Sequence, residues 1–111
     1  MSMREATYYA TVGTLPTATA IRCETATYAG DMHDLLDSMY QSCRATGQGG
    51  SMMRGYARDD MIQVIDHMRT CVDDYAERVK AMQVRENMLD MCEEHHAAIN
   101  ELLTEMHGML P

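Results

Sequence analysis

From Asp59 to Met109 the chain repeats one pattern. Apolar or near-apolar residues fall at 61, 65, 68, 72, 75, 79 and 82, then at 89, 92, 96, 99, 103, 106 and 110, with polar residues between. This 3–4 alternation marks one buried stripe of an α-helix. It lapses once, at Arg85-Glu86, and no Pro occurs between 59 and 110. Two structures fit. One is a helical hairpin turning near Gln83–Asn87, with helices over 59–82 and 87–109. The other is one helix of about 50 residues, roughly 75 Å long, which would need a second chain to cover its stripe. The hairpin is preferred, because helices that long are rare in small domains.

A shorter stretch with the same period, Met32, Leu36, Met39 and Cys43, predicts a helix over 31–46. Asp31 is a candidate N-cap, and "TGQGGS" (46–51) ends it, with the loop continuing through "MMRGYA". Residues 1–29 read differently. "EATYYATVGTLPTATAIRCETATYAG" is rich in Thr, Ala and Tyr, with Gly13 and Pro16 in the middle. Loosely alternating β-branched and aromatic residues predict a hairpin of 5–12 with 18–28, or an irregular arm. The expected architecture is therefore mainly α: an arm over 1–29 and a helical domain over 30–111, a bundle of about three helices completed by dimerisation or by a partner.

Composition narrows the core and the partners. The 111 residues suffice for one domain, and with no Phe or Trp and 13 Met the core must rest on soft, unbranched side chains. The net charge is −8, and all of the excess lies in 31–111. From Glu86 to the C-terminus there are six acids and no Lys or Arg. Such a chain is poorly built to displace counterions from a phosphate backbone or to bind an anionic membrane. It suits a basic partner. The four cysteines (Cys23, Cys43, Cys71, Cys92) form no CxxC, and there is no apolar leader or spanning segment. This predicts free thiols in a reducing, cytoplasmic setting.

Candidate chemistry centres on "DHMRTCVDDYAERVKAMQVRENMLDMCEEHH" (66–96). His67 and Cys71 lie four apart, as do Cys92 and His96, so each pair shares a helix face. In a hairpin turning near 81–82 the four would reach one level, a donor set suited to zinc or, given the Met excess, Cu(I). "DHMRTCV" with Cys43 upstream resembles the ligand set of the all-helical copper-sensing repressors. That resemblance would make Cys43, His67 and Cys71 copper ligands, although "TGQGGS" interrupts what is a continuous helix in that family. "EEHHAA" (93–98) is similar to the Glu-x-x-His motif of ferritin-like di-iron proteins, which would make Glu93 and His96 ligands. Buried structural thiols explain the same cysteines without a metal. Of the adjacent His95 and His96, one is expected inward, and the helical spacing favours His96.

No catalytic triad order, phosphate loop or HExxH motif is present, so a non-enzyme is expected. The leading expectation is a small acidic helical protein that binds a larger basic protein, such as a nucleic-acid-binding one, and inhibits or regulates it by occlusion, as phage-encoded inhibitors do. The docking acids would be Asp73, Asp74, Glu77, Glu86, Asp90, Glu93, Glu94 and Glu101, with Tyr8, Tyr9, Tyr28, Tyr40 or Tyr56 as anchors. No cofactor is expected in that reading. The alternative is an intracellular Cu(I)- or zinc-binding protein for storage or sensing, holding its ion with His67, Cys71, Cys92 and His96.

Overall fold

The computed structural model describes the backbone of residues 2–46 and 55–109 and the side chains of 3–44 and 59–109. Four helices make up the described chain: α1 (Ser2–Val12), α2 (Ala18–Thr46), α3 (Gly55–Ala81) and α4 (Arg85–Met109). Each of α1 and α3 packs between α2 and α4, in an up-down-up-down order. The bundle measures 50 × 20 × 20 Å.

The α3–α4 hairpin forms as the periodicity predicts, with its turn at Met82–Val84. The Arg22 guanidinium donates to the Met82 carbonyl at 2.8 Å and so closes the end of α3. Arg85, first residue of α4, donates to the carbonyls of Leu15 (2.7 Å) and Gly13 (3.3 Å). These contacts tie both interhelical turns together at one end. Arg85 sits at the interruption of the apolar pattern, so that break serves as a clamp.

The N-terminal arm is the main correction. Residues 1–29 form neither a hairpin nor an irregular arm, and no strand occurs among the described residues. α1 buries Glu5, Tyr8 and Val12, and α2 buries Ile21, Thr25, Tyr28, Met32, Leu36 and Cys43. Those positions are spaced by three, four or, from Leu36 to Cys43, seven, as one face of a helix requires. The stripe was hidden because Glu5 and Thr25 are polar. Local signals then act in its favour. The Thr17 hydroxyl accepts from the Ala20 amide at 3.1 Å, the geometry of an N-cap, and Pro16 stands just before it. Thr25 and Thr27 donate back to the carbonyls of Ile21 and Cys23, so their hydroxyls are satisfied within the helix.

α2 runs unbroken through Gly30-Asp31, so Asp31 is not an N-cap; its carboxylate pairs with Arg4 of α1 at 2.8 Å. Gly30 is exposed in mid-helix, and a Cβ there would meet nothing within 4 Å. Gly30→Ala should therefore stabilise the protein by about 0.5–1 kcal/mol. A thermal melt checks this; a lowered midpoint would mean that α2 is not continuous.

The expected mainly helical bundle is present, but with four helices among the described residues rather than about three. α1 has 11 residues against 29, 27 and 25 for the others. It therefore covers the core only at the end holding the two turns. Beyond it, α2 and α4 approach each other directly. The cover expected from a second chain is thus supplied at one end by α1. α3 begins at Gly55, four residues before Asp59. Of the loop expected from "TGQGGS" through "MMRGYA", residues 47–54 and the side chain of Tyr56 lie outside the described residues.

Candidate functional site

Two features exceed what a plain helical core requires: the acidic faces and a polar network inside the bundle. The acids come first. Asp73, Asp74, Glu77, Glu86, Asp90, Glu93, Glu94 and Glu101 are all exposed. The structure divides them into two kinds. On α3, Asp74 pairs with Arg78 at 2.9 Å, Asp73 with His33, and Asp66 with Arg69 at 3.9 Å. Arg69 also holds Asp37 at 2.7 Å. On α4, Glu86, Asp90, Glu93, Glu94, Glu101 and Glu105 have no cation partner among the described residues. At 100° per residue these six share one side of the helix, with Ala97 at its centre.

The His/Cys quartet is not drawn together. His67 is exposed on α3. Cys71 is half-buried, with its sulfur 3.8 Å from His95 Nδ1. Cys92 is buried and hydrogen-bonded to Tyr75. His96 turns to α1, where its Nδ1 donates to the two oxygens of Glu5 at 2.8 and 2.9 Å. Among the described residues no group of three or more His, Cys, Asp or Glu could hold a metal ion. That applies equally to Cys43, buried in α2, and to Glu93, exposed on α4. The four cysteines are free thiols.

His95, rather than His96, is the inward residue, at 4% exposure. Counting from Cys92, both i+3 and i+4 lie on the core side of a helix. The choice is made by α1, whose buried Glu5 takes His96 and leaves His95 to the interior.

Sequence reasoning missed the network around His95. Tyr8 from α1, Tyr28 and Thr25 from α2, Tyr75 from α3, and His95 and Cys92 from α4 meet in the core. Tyr8 stacks on Tyr28 with centroids 4.0 Å apart, and Tyr75 stacks on His95 at 4.1 Å. The hydrogen-bond directions follow from supply. Thr25 donates its single proton to the Ile21 carbonyl at 2.7 Å, so it can only accept from the Tyr8 hydroxyl, also at 2.7 Å. Tyr8 has then spent its proton and accepts from Tyr75. Tyr75 also pairs with Cys92 of α4. One polarised chain, Tyr75 to Tyr8 to Thr25 to Ile21, joins α3, α1 and α2, with Cys92 of α4 paired to Tyr75 at its head. A second line joins Tyr28 to His95 Nε2 at 2.6 Å and His95 Nδ1 to Cys71.

Burial keeps these groups neutral, because desolvation penalises the charged form. It pushes the Tyr8 phenol up to about 12 and those of Tyr28 and Tyr75 higher still. The thiols of Cys71 and Cys92 are raised for the same reason. His95 is lowered from 6.5 to about 4, by burial first and by neighbouring His96 second. Cys71, His95 and Tyr28 thus stand in the order nucleophile, base and orienting group, but burial disfavours the thiolate–imidazolium pair that such chemistry needs. Glu5, at 1% exposure, is raised by burial, an effect that the His96 hydrogen bond and charge partly offset. Its partner His96 also stacks on Tyr9, with centroids 3.9 Å apart.

A cleft of about 350 Å³ lies between α1 and α4, beside this stack. Among the described residues no helix is long and apolar enough to cross a membrane. No protein-family model, curated protein or solved structure matches the chain.

Proposed function

We propose that the protein is a non-catalytic acidic helical module of the cytoplasm. It docks on a larger, basic protein, such as a nucleic-acid-binding one, and regulates or inhibits it by occlusion. The observation that carries this reading is the asymmetry between the two acidic helices. On α3, Asp66, Asp73 and Asp74 have partners within the bundle, whereas the six carboxylates on α4 have no cation partner among the described residues. The docking face is accordingly α4, with Asp73, Asp74 and Glu77 of α3 contributing to the long-range field.

Physical chemistry favours a partner there. Glu86, Asp90 and Glu94 are spaced four apart, as are Glu101 and Glu105, and like charges at that spacing weaken a helix. A cationic surface relieves this repulsion on contact, and the field of the stripe speeds the encounter. The polar network suits the same role. It locks α1, α2 and α3 to α4, so the stripe is presented on a fixed scaffold and little ordering is left for binding.

Affinity capture from cell extract at low and high salt, followed by kinetics on the captured protein, tests the reading. A basic protein should be held at low salt and released at roughly 0.5 M, where the Debye length falls to a few ångströms. Reversing Glu93 and Glu94 to Lys should slow association about tenfold with little change in dissociation. A partner that binds equally well at high salt, and equally well to the double reversal, would remove the electrostatic account.

A further inference from the structure

The cleft between α1 and α4 adds chemistry to the acidic face beside it. Tyr9 and Ala10 of α1, with Gly13 just beyond it, form one wall, and Leu89, Cys92 and Glu93 form the α4 wall. Leu89 is half-buried and Cys92 is buried, so the floor is apolar; Glu93 is exposed and carries its carboxylate at the rim. Tyr9 is 36% exposed, with one ring face packed on His96. Since His96 is in turn held by buried Glu5, that ring is fixed before any ligand arrives. Gly13 lines the end of the cleft with no side chain of its own. Arg85 engages the Gly13 carbonyl at that end. The α4 residues on the far side of Glu93 are Glu86 and Asp90, so the cleft opens onto the acidic stripe.

Three properties select the occupant. The volume of about 350 Å³ is at the low end for a small-molecule pocket, but it is ample for one long side chain. The floor accepts a hydrocarbon stem. The rim offers a carboxylate and a preset aromatic face, and these together fit a planar cation that stacks and forks to an acid. We infer that the α1–α4 cleft is the anchor pocket of the docking face, and that it receives an arginine side chain from the basic partner. The stem lies over Leu89, while the guanidinium stacks on Tyr9 and pairs with Glu93. This rests on the acidic-face reading above and adds to it a preference for arginine over lysine. Charge alone cannot produce that preference.

Fluorescence anisotropy with labelled deca-arginine and deca-lysine on the intact protein separates the two claims. The peptides carry equal charge, so the stripe alone should bind them alike. The pocket should favour deca-arginine by about fivefold, the scale of a partly exposed cation–π contact. Ala10→Leu fills the cleft from an exposed helical position. It should abolish the preference, bringing deca-arginine down to the affinity of deca-lysine for the same variant, and Tyr9→Leu should do the same. Equal binding of the two peptides, or a preference that survives in Ala10→Leu, would overturn the pocket and leave the acidic face standing. Absence of salt-sensitive binding by either peptide would overturn both.

Discussion

Tyr8→Ala should lower the stability of the protein by about 4 kcal/mol, the upper range for loss of a large buried aromatic. For a domain of this size that corresponds to a fall in melting temperature of roughly 15–20 °C. Three losses coincide at this position. The side chain is 0% exposed, and its removal opens a cavity where all four helices meet. Its stack on Tyr28, with centroids 4.0 Å apart, disappears. The hydrogen-bonded chain is cut in the middle, so the Tyr75 proton loses its acceptor and the Thr25 oxygen its donor. Tyr8→Phe separates the terms, since it keeps the ring. It should cost about 1–3 kcal/mol, the penalty for buried polar groups left unsatisfied. Equilibrium urea unfolding measures both. If Tyr8→Ala were no worse than a surface substitution, α1 would not be docked in the core and the four-helix description would fail.

Acid should weaken the fold through His95. Its imidazole titrates near 6.5 when unfolded but is depressed to about 4 in the core. Between those values the unfolded chain binds the proton and the folded chain does not, so stability rises with pH across this window. Read in the other direction, the full contribution is present above pH 6.5. It is lost progressively as pH falls and levels off below about 4. The depression to about 4 corresponds to about 3 kcal/mol. Glu5 acts in the opposite sense. Burial raises its folded value, so its contribution is present below the unfolded carboxylate range and is lost as pH rises through the folded one. It therefore opposes the His95 effect wherever the two windows overlap. His95→Gln should be less stable at pH 7, where its contacts to Tyr28 and Tyr75 are gone. Its stability should also fall less steeply from pH 6.5 to 4, by about one proton in the slope. Identical slopes for the two proteins would mean that His95 does not titrate as a buried group.

How far these features could be read from the residues follows from which side chains carry each stripe. The α3–α4 hairpin was legible because Met61, Met68, Val72, Val79, Met88, Ile99 and Leu103 are apolar, so burial and hydropathy coincide. α1 and the first half of α2 were not. Their stripes include Glu5, Tyr8, Thr25 and Tyr28, whose polar atoms are satisfied by His96, Tyr75, Ile21 and His95. Each pairing joins elements far apart in sequence or uses a backbone carbonyl, and a hydropathy pattern shows neither. Tyr and Thr then read as strand formers, and tertiary packing overrides that local preference. The Thr17 N-cap after Pro16 was the available signal for a second helix. The acidic composition of α4 and its lack of Lys or Arg after Arg85 were visible in the chain, as were the local pairs Asp66–Arg69 and Asp74–Arg78 on α3. The pairs between helices, Arg69 with Asp37 and His33 with Asp73, were not.

The central claim is that α4 presents its uncompensated stripe to a basic protein. Ala97 is exposed at the centre of that stripe, and replacing it with a photocrosslinking residue removes no charge. Gln63, exposed on α3, is the matched control. Irradiation in cell extract at low salt should link position 97, and not position 63, to one basic protein. High salt should abolish the product. A product that forms from position 63 instead, or one from position 97 that persists at high salt, would contradict the account.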